Sequence, residues 1–171
     1  MARTSSVRAA APSQDPQPYD KVVTKDAKTR KGVFTVHQIR DKYYYEIPRA
    51  ELNQLFLWNT AITKTASGLG YGHQQVGDRV VLWELIGNKL HLRDVKHEMV
   101  ADPSKAVSRA VADSNNNAIL MTFPVAAFAK DGAPVVEVTR LFSTDVQEFS
   151  PRARIGATAL DTSRSYIERV S

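Results

Sequence analysis

The stretch VFTVHQIRDKYYYEIP, residues 33–48, decides the fold class. Val33, Thr35, His37 and Ile39 alternate with Phe34, Val36 and Gln38, the period of two expected of a strand. KYYYEIP (42–48) is aromatic and β-prone, and Arg40-Asp41 between the two runs is turn-like. The stretch therefore reads as a β-hairpin. Within it Tyr43 and Tyr45 share one face and Tyr44 takes the other, so core packing on one side is expected, with base or sugar stacking as the sharper alternative.

The same patterning continues downstream. Pro48 ends the hairpin, PRAELNQ can form one helical turn, and LFLWNTAIT (55–63) supplies a third strand. A glycine-rich loop, SGLGYGHQQVGD (67–78), leads to the strand RVVLWELI (79–86). Gly87-Asn88 then turns the chain into KLHLRDVKHEMV (89–100), a second hairpin. Asp102 can cap a helix with Pro103 in its first turn, and Val107, Ala110 and Val111 form its apolar face. AILMTFPVAAFAK (118–130) is interrupted by Pro124, so it is expected to bend or to sit at an edge. Asp131-Gly132 turns into PVVEVTRLF (134–142), and the remainder to residue 171 is mixed. The expected fold class is α+β and β-rich, antiparallel hairpins forming a sheet or sandwich with one main helix.

Residues 1–30 are rich in Ala, Pro, Ser, Gln and Lys, with too few large apolar groups to offset ordering entropy. A disordered leader or linker is expected there, with order beginning near Gly32 and an accessory domain over 31–171. The basic excess lies in the same segment: residues 1–32 hold seven basic and three acidic side chains, against 16 and 15 in 33–171. A charge excess confined to such a segment argues against nucleic acid as a partner, since phosphate binding needs clustered charge on an ordered surface. No apolar stretch reaches about 18 residues, so no membrane span is expected. The first twenty residues carry no apolar core, so they do not read as a secretory signal peptide. Cysteine is absent, which excludes disulfides and thiolate chemistry.

One fragment invites a catalytic reading. HEMVA (97–101) lacks only the second histidine of H-E-x-x-H, whose place is taken by Ala101. The apolar positions 90, 92 and 95 around it favour a strand, on which His97 and Glu98 point to opposite faces. They could not act together as ligand and base. His37 and His91 fall in hairpin strands, where a lone histidine is expected to be partly exposed, and His73 lies in the glycine loop. A zinc site built from these separate strands has no support in their spacing. Gly68, Gly70 and Gly72 precede no helix that could receive a phosphate, so a connection is expected and not a cradle. No serine sits in a nucleophile elbow and no carboxylate pair is placed for acid–base work. No catalytic, cofactor-binding or metal residue is assigned.

KGVFTVHQIRDKYYYEIP (31–48), ITKTASGLGYG (62–72), RVVLWE (79–84), ADPSKAVSRAVADSN (101–115) and LDTSRSYIERV (160–170), in that order, resemble the N-terminal domain of unknown function of a family of bacterial zinc-dependent metalloproteases. The resemblance implies a non-catalytic accessory module with a scaffold, substrate-positioning or autoinhibitory role. Its implied partners are a protease catalytic domain and a protein or peptide substrate. In that family the catalytic domain carries H-E-x-x-H-x-x-G-x-x-H and holds the zinc, and no such residue can be placed on this sequence. The family is a hydrolase family, and its members are periplasmic or secreted. A free-standing ligand- or protein-binding β domain is the alternative, and an enzyme with a site assembled from distant residues is the third reading. Tyr166, Ile167 and Val170 form an apolar pattern without a stop signal, so an exposed patch and a truncated C-terminal end are expected.

Overall fold

The computed structural model describes residues 15–65, 67, 72–95 and 117–170. Among these residues eight strands run as β1 (Lys28–Arg30), β2 (Thr35–Ile39), β3 (Lys42–Glu46), β4 (Phe56–Ile62), β5 (Gln74–Ile86), β6 (Lys89–Asp94), β7 (Ala118–Phe128) and β8 (Pro134–Glu137). They form one antiparallel sheet in the order β1-β2-β3-β8-β7-β6-β5-β4. The fold is β-rich, as expected.

The hairpins form where local turn chemistry places them. Arg40 adopts φ 54° and Gly87 φ 59°, the left-handed region that tight two-residue turns need. Gly132, at φ 81° in the β7–β8 turn, takes a backbone conformation that L side chains rarely adopt, and a Cβ there would also displace the Arg49 side chain, whose Nε would lie 2.7 Å away. Long-range pairing then joins the hairpins: Tyr45 opposes Val136 and links β3 to β8.

The sheet curls on itself. Phe34, just before β2, meets Phe56 at the start of β4 with ring centroids 5.2 Å apart, although β2 and β4 lie toward opposite ends of the strand order. The concave face holds the core, with Val81, Trp83, Leu90, Leu92, Phe123, Val125 and Val136 all buried. Tyr45 joins this core, contacting Trp83 and Phe34, as expected for one face of the tyrosine run.

Several local expectations are revised. Structure begins before Gly32, with a helical turn at Tyr19–Val22 and β1 at Lys28–Arg30. This N-terminal strap is held by polar anchors and not by apolar density: Gln17 N–H donates to the Ala126 carbonyl at 2.7 Å, and Tyr19 Oη donates to Glu46 at 2.7 Å. The strand expected from 134 to 142 stops at Glu137, and Thr139–Ser143 forms a helical turn that buries Leu141. Thr139 Oγ1 accepts from Tyr43 N–H at 2.9 Å and so ends the β3–β8 ladder. β5 starts at Gln74, inside the expected glycine loop, because it pairs with Ala61 and Ile62 across an irregular register. Gly72 packs tightly, since a Cβ there would lie 2.6 Å from the Thr63 carbonyl oxygen.

β7 is an interior strand and not an edge. It pairs with β6 up to Pro124 and with β8 from Val125, so the proline marks the change of partner. The HEMVA fragment, Gly68, Gly70 and the helix expected from Asp102 lie outside the described residues. Tyr166 is exposed, whereas Ile167 and Val170 are half-buried in a small hollow beside Val36 and Tyr43. Among the described residues no helix is long and apolar enough to cross a membrane.

Candidate functional site

Among the described residues β4 has a strand neighbour on one side only, β5. Its sequence FLWNTAI carries no charge and no proline, and its residues alternate between half-buried and exposed. Phe56, Trp58, Thr60 and Ile62 face the concave side, while Leu57, Asn59 and Ala61 face outward. Leu57 is 73% exposed.

Trp58 is the centre of an aromatic stack. Phe149 lies on it at 4.6 Å and 17°, and Phe142 at 5.7 Å and 11°. The indole N–H donates to Thr60 Oγ1 at 3.1 Å, so the polar end of the ring is satisfied. Phe142 also reaches Tyr45, which ties the stack to the core.

An ion pair on the concave face sets where Phe149 sits. Arg79, opposite Trp58 in the ladder, pairs with buried Asp94 at 2.6 Å. Its Nε donates to the Glu148 carbonyl at 2.9 Å. The 3-10 turn Gln147–Phe149 is thereby pinned over the sheet. Further along, Arg152 pairs with Asp145 at 2.6 Å and bonds Ser150, fixing the next turn of chain.

Between β4 and this C-terminal segment runs a groove of about 710 Å³. One wall is the consecutive run Phe56 to Ala61, and the other includes Phe142, Asp145, Phe149, Pro151 and Leu160. A second hollow of about 390 Å³ continues over Thr60 to Thr65, bounded by Val76, Pro151 and Ile155. Side chains of neighbouring strand residues point to opposite faces, so consecutive residues line one space only along the backbone edge. The groove therefore reaches the outer edge of β4 and extends inward over Phe34, Tyr45, Val81 and Trp83. Among the described residues no strand pairs with that edge, which runs beside an aromatic wall and suits an extended polypeptide.

The histidines expected in strands are placed far apart in role. His91 Nδ1 meets Thr122 Oγ1 at 2.9 Å on the convex face, and His73 is exposed at φ 63°. His37 departs from expectation, being only 3% exposed. Its Nδ1 lies 2.8 Å from Thr29 Oγ1 and its Nε2 lies 3.2 Å from Glu46 Oε2, which also accepts from Tyr19. With the proton on Nε2, every donor in this array meets an acceptor. The array clamps β1 and the strap to the sheet. Burial and the Glu46 carboxylate together hold the Tyr19 hydroxyl above the ordinary tyrosine range. Nothing in the sequence spacing joins Tyr19, Thr29, His37 and Glu46, because the contacts arise from pairing of β1, β2 and β3.

A third hollow, of about 950 Å³, opens between the strap, the β2–β3 turn and the β7 irregularity. Tyr44 and the Lys42–Glu137 ion pair, 2.8 Å apart, line it. Burial, then the Glu137 charge, raises the Tyr44 hydroxyl, and Glu137 raises Lys42. Among the described residues no group of three His, Cys, Asp or Glu is placed to hold a metal ion.

Two families match adjacent segments of the chain. The family described as Domain of unknown function (DUF5118) matches residues 16–65, and that described as Domain of unknown function (DUF5117) matches residues 73–171. The first segment ends just after β4 and the second begins just before β5, yet β4 pairs with β5 and β3 with β8. The two segments share one sheet and one core. No curated protein and no solved structure matches the chain.

Proposed function

The chain belongs to the family described as Domain of unknown function (DUF5117), which covers more than half of it, and on that premise we propose that it is a non-catalytic accessory domain of a bacterial zinc-dependent metalloprotease, holding polypeptide for the catalytic domain. The observation that carries this reading is the uncharged free edge of β4 beside an aromatic groove. The ordered set of segments resembling the N-terminal domain of such proteases supports the protease association. Zinc and bond cleavage belong in this reading to the catalytic domain, and periplasmic or secreted location goes with it. A free-standing ligand-binding role is the second reading, favoured by the large hollow around Tyr44 and the Lys42–Glu137 pair.

The test is to incubate the purified chain with unfolded casein, with and without zinc, alone and beside a catalytic domain carrying H-E-x-x-H-x-x-G-x-x-H. The chain alone is expected to bind casein and leave it intact. Beside the catalytic domain it is expected to change KM for casein more than kcat. Zinc-dependent casein fragments from the chain alone, or no binding to casein, would overturn the reading.

A further inference from the structure

We propose that the β4 edge takes up an extended, uncharged polypeptide segment as an added strand, with its side chains at alternating positions entering the two hollows. This rests on the reading of the domain as a polypeptide holder and adds the mode of binding and the class of segment.

Three observations lead to it. The two hollows share Thr60, Ala61 and Pro151 and together follow β4, so the edge Phe56–Ile62 runs beside them over roughly 23 Å at about 3.3 Å per residue. Main-chain hydrogen bonds along such an edge supply affinity without regard to sequence, and pockets for alternate side chains supply selectivity. The charge of the groove is the second observation. Of the charged residues that line the two hollows, Asp145 is already paired with Arg152 at 2.6 Å and Lys64 lies beyond the end of β4, which itself carries no charge, so a segment neutral along β4 is complementary. The third is the far wall. Phe149, Pro151 and Leu160 line the groove together with β4, so a second copy of β4 would have to bring the sheet behind it against them.

The sizes of the hollows set the preference. The larger one, about 710 Å³ and walled by Trp58, Phe142 and Phe149, takes an aromatic or large aliphatic side chain. The smaller one, about 390 Å³ and bounded by Thr60, Val76 and Ile155, takes a smaller aliphatic one. The preferred segment is one that a folded substrate would bury and an unfolded one would expose.

The experiment is calorimetric titration of the whole chain with a capped peptide of alternating phenylalanine and threonine, with a lysine outside each end for solubility. A second peptide of the same composition carries N-methyl groups on alternate backbone nitrogens. The first is expected to bind, the second to bind at least about tenfold more weakly, which corresponds to about 1.4 kcal/mol. Phe142→Ala, a substitution at a partly exposed wall residue, is expected to weaken the first peptide about tenfold while the chain stays folded by circular dichroism. Equal affinity for both peptides would overturn strand addition and leave polypeptide holding intact. Binding of casein with no binding of either peptide would do the same. Failure to bind casein or peptide would overturn both. A dimer that Leu57→Lys dissociates would assign the edge to a second copy and overturn the proposal.

Discussion

At one end of the sheet stand Lys28, Thr29 and Arg30, and at the other the seven uncharged residues Phe56–Ile62. The first edge is short, with three exposed residues of which two are basic, and that charge repels an incoming strand. It is also tied inward through Thr29 to His37. The second edge is longer and uncharged, with an irregularity near Thr60/Ala61. Proteins usually blunt their edges with charge, proline or cover, so an edge left unblunted beside one that is blunted marks the face meant to pair. The contrast separates a boundary of the fold from a surface of use.

Cutting the chain between Ile62 and Gln74 should abolish the comparison altogether. β4 is an edge only because β5 holds it, and the core draws on both segments. Neither piece is expected to unfold cooperatively on heating, while mixing the two should restore a transition. A cooperative melt from either piece alone would show two independent folds.

Trp58→Ala should cost about 3 kcal/mol, by removal of a large aromatic from the stack between Phe142 and Phe149. Urea unfolding measures the loss, which should fall on the β4 side. At the β1 side the corresponding substitution is Glu46→Ala. It leaves Tyr19 and His37 without their acceptor and should cost about 2 kcal/mol. Hydrogen exchange should then quicken in β1 and the strap, with β4 unchanged.

Alkaline pH should act on the β1 side as well. The folded chain holds the Tyr19 hydroxyl above its ordinary value, so the unfolded chain loses that proton first. Stability is full below about pH 10 and falls as pH rises beyond it. Burial raises Tyr45 in the same direction. Tyr19→Phe should flatten the decline in melting temperature above pH 10. An identical decline in the variant would remove Tyr19 from the account. The smallest effect is expected from Leu57→Lys at an exposed position, within about 0.5 kcal/mol. Light scattering at high concentration should nevertheless drop, because the lysine blunts the open edge.

How much of this was legible in the sequence follows from the range of the contacts. The three hairpin turns, Arg40-Asp41, Gly87-Asn88 and Asp131-Gly132, are local, and their residue chemistry places them. The β3–β8 and β6–β7 pairings are not, and no periodicity reports that Tyr45 meets Val136. The strap was hidden because hydrogen bonds hold it: Tyr19 and Gln17 act one residue at a time in a segment of low apolar content. The burial of His37 was hidden for the same reason, since its partners come from three strands. At the groove, LFLWNTAIT was legible as a strand, and the absence of charge in it was the available signal for an open edge. The opposite wall was not legible, because Phe142 and Phe149 reach Trp58 from more than eighty positions away.

The central claim, that β4 and not β1 is the edge that receives a polypeptide, is tested most directly by amide hydrogen exchange of the chain with the alternating phenylalanine–threonine peptide. Exchange is expected to slow within Phe56–Ile62 on addition of peptide and to stay unchanged within Lys28–Arg30. Protection at Lys28–Arg30, or peptide binding with no change at β4, would contradict it.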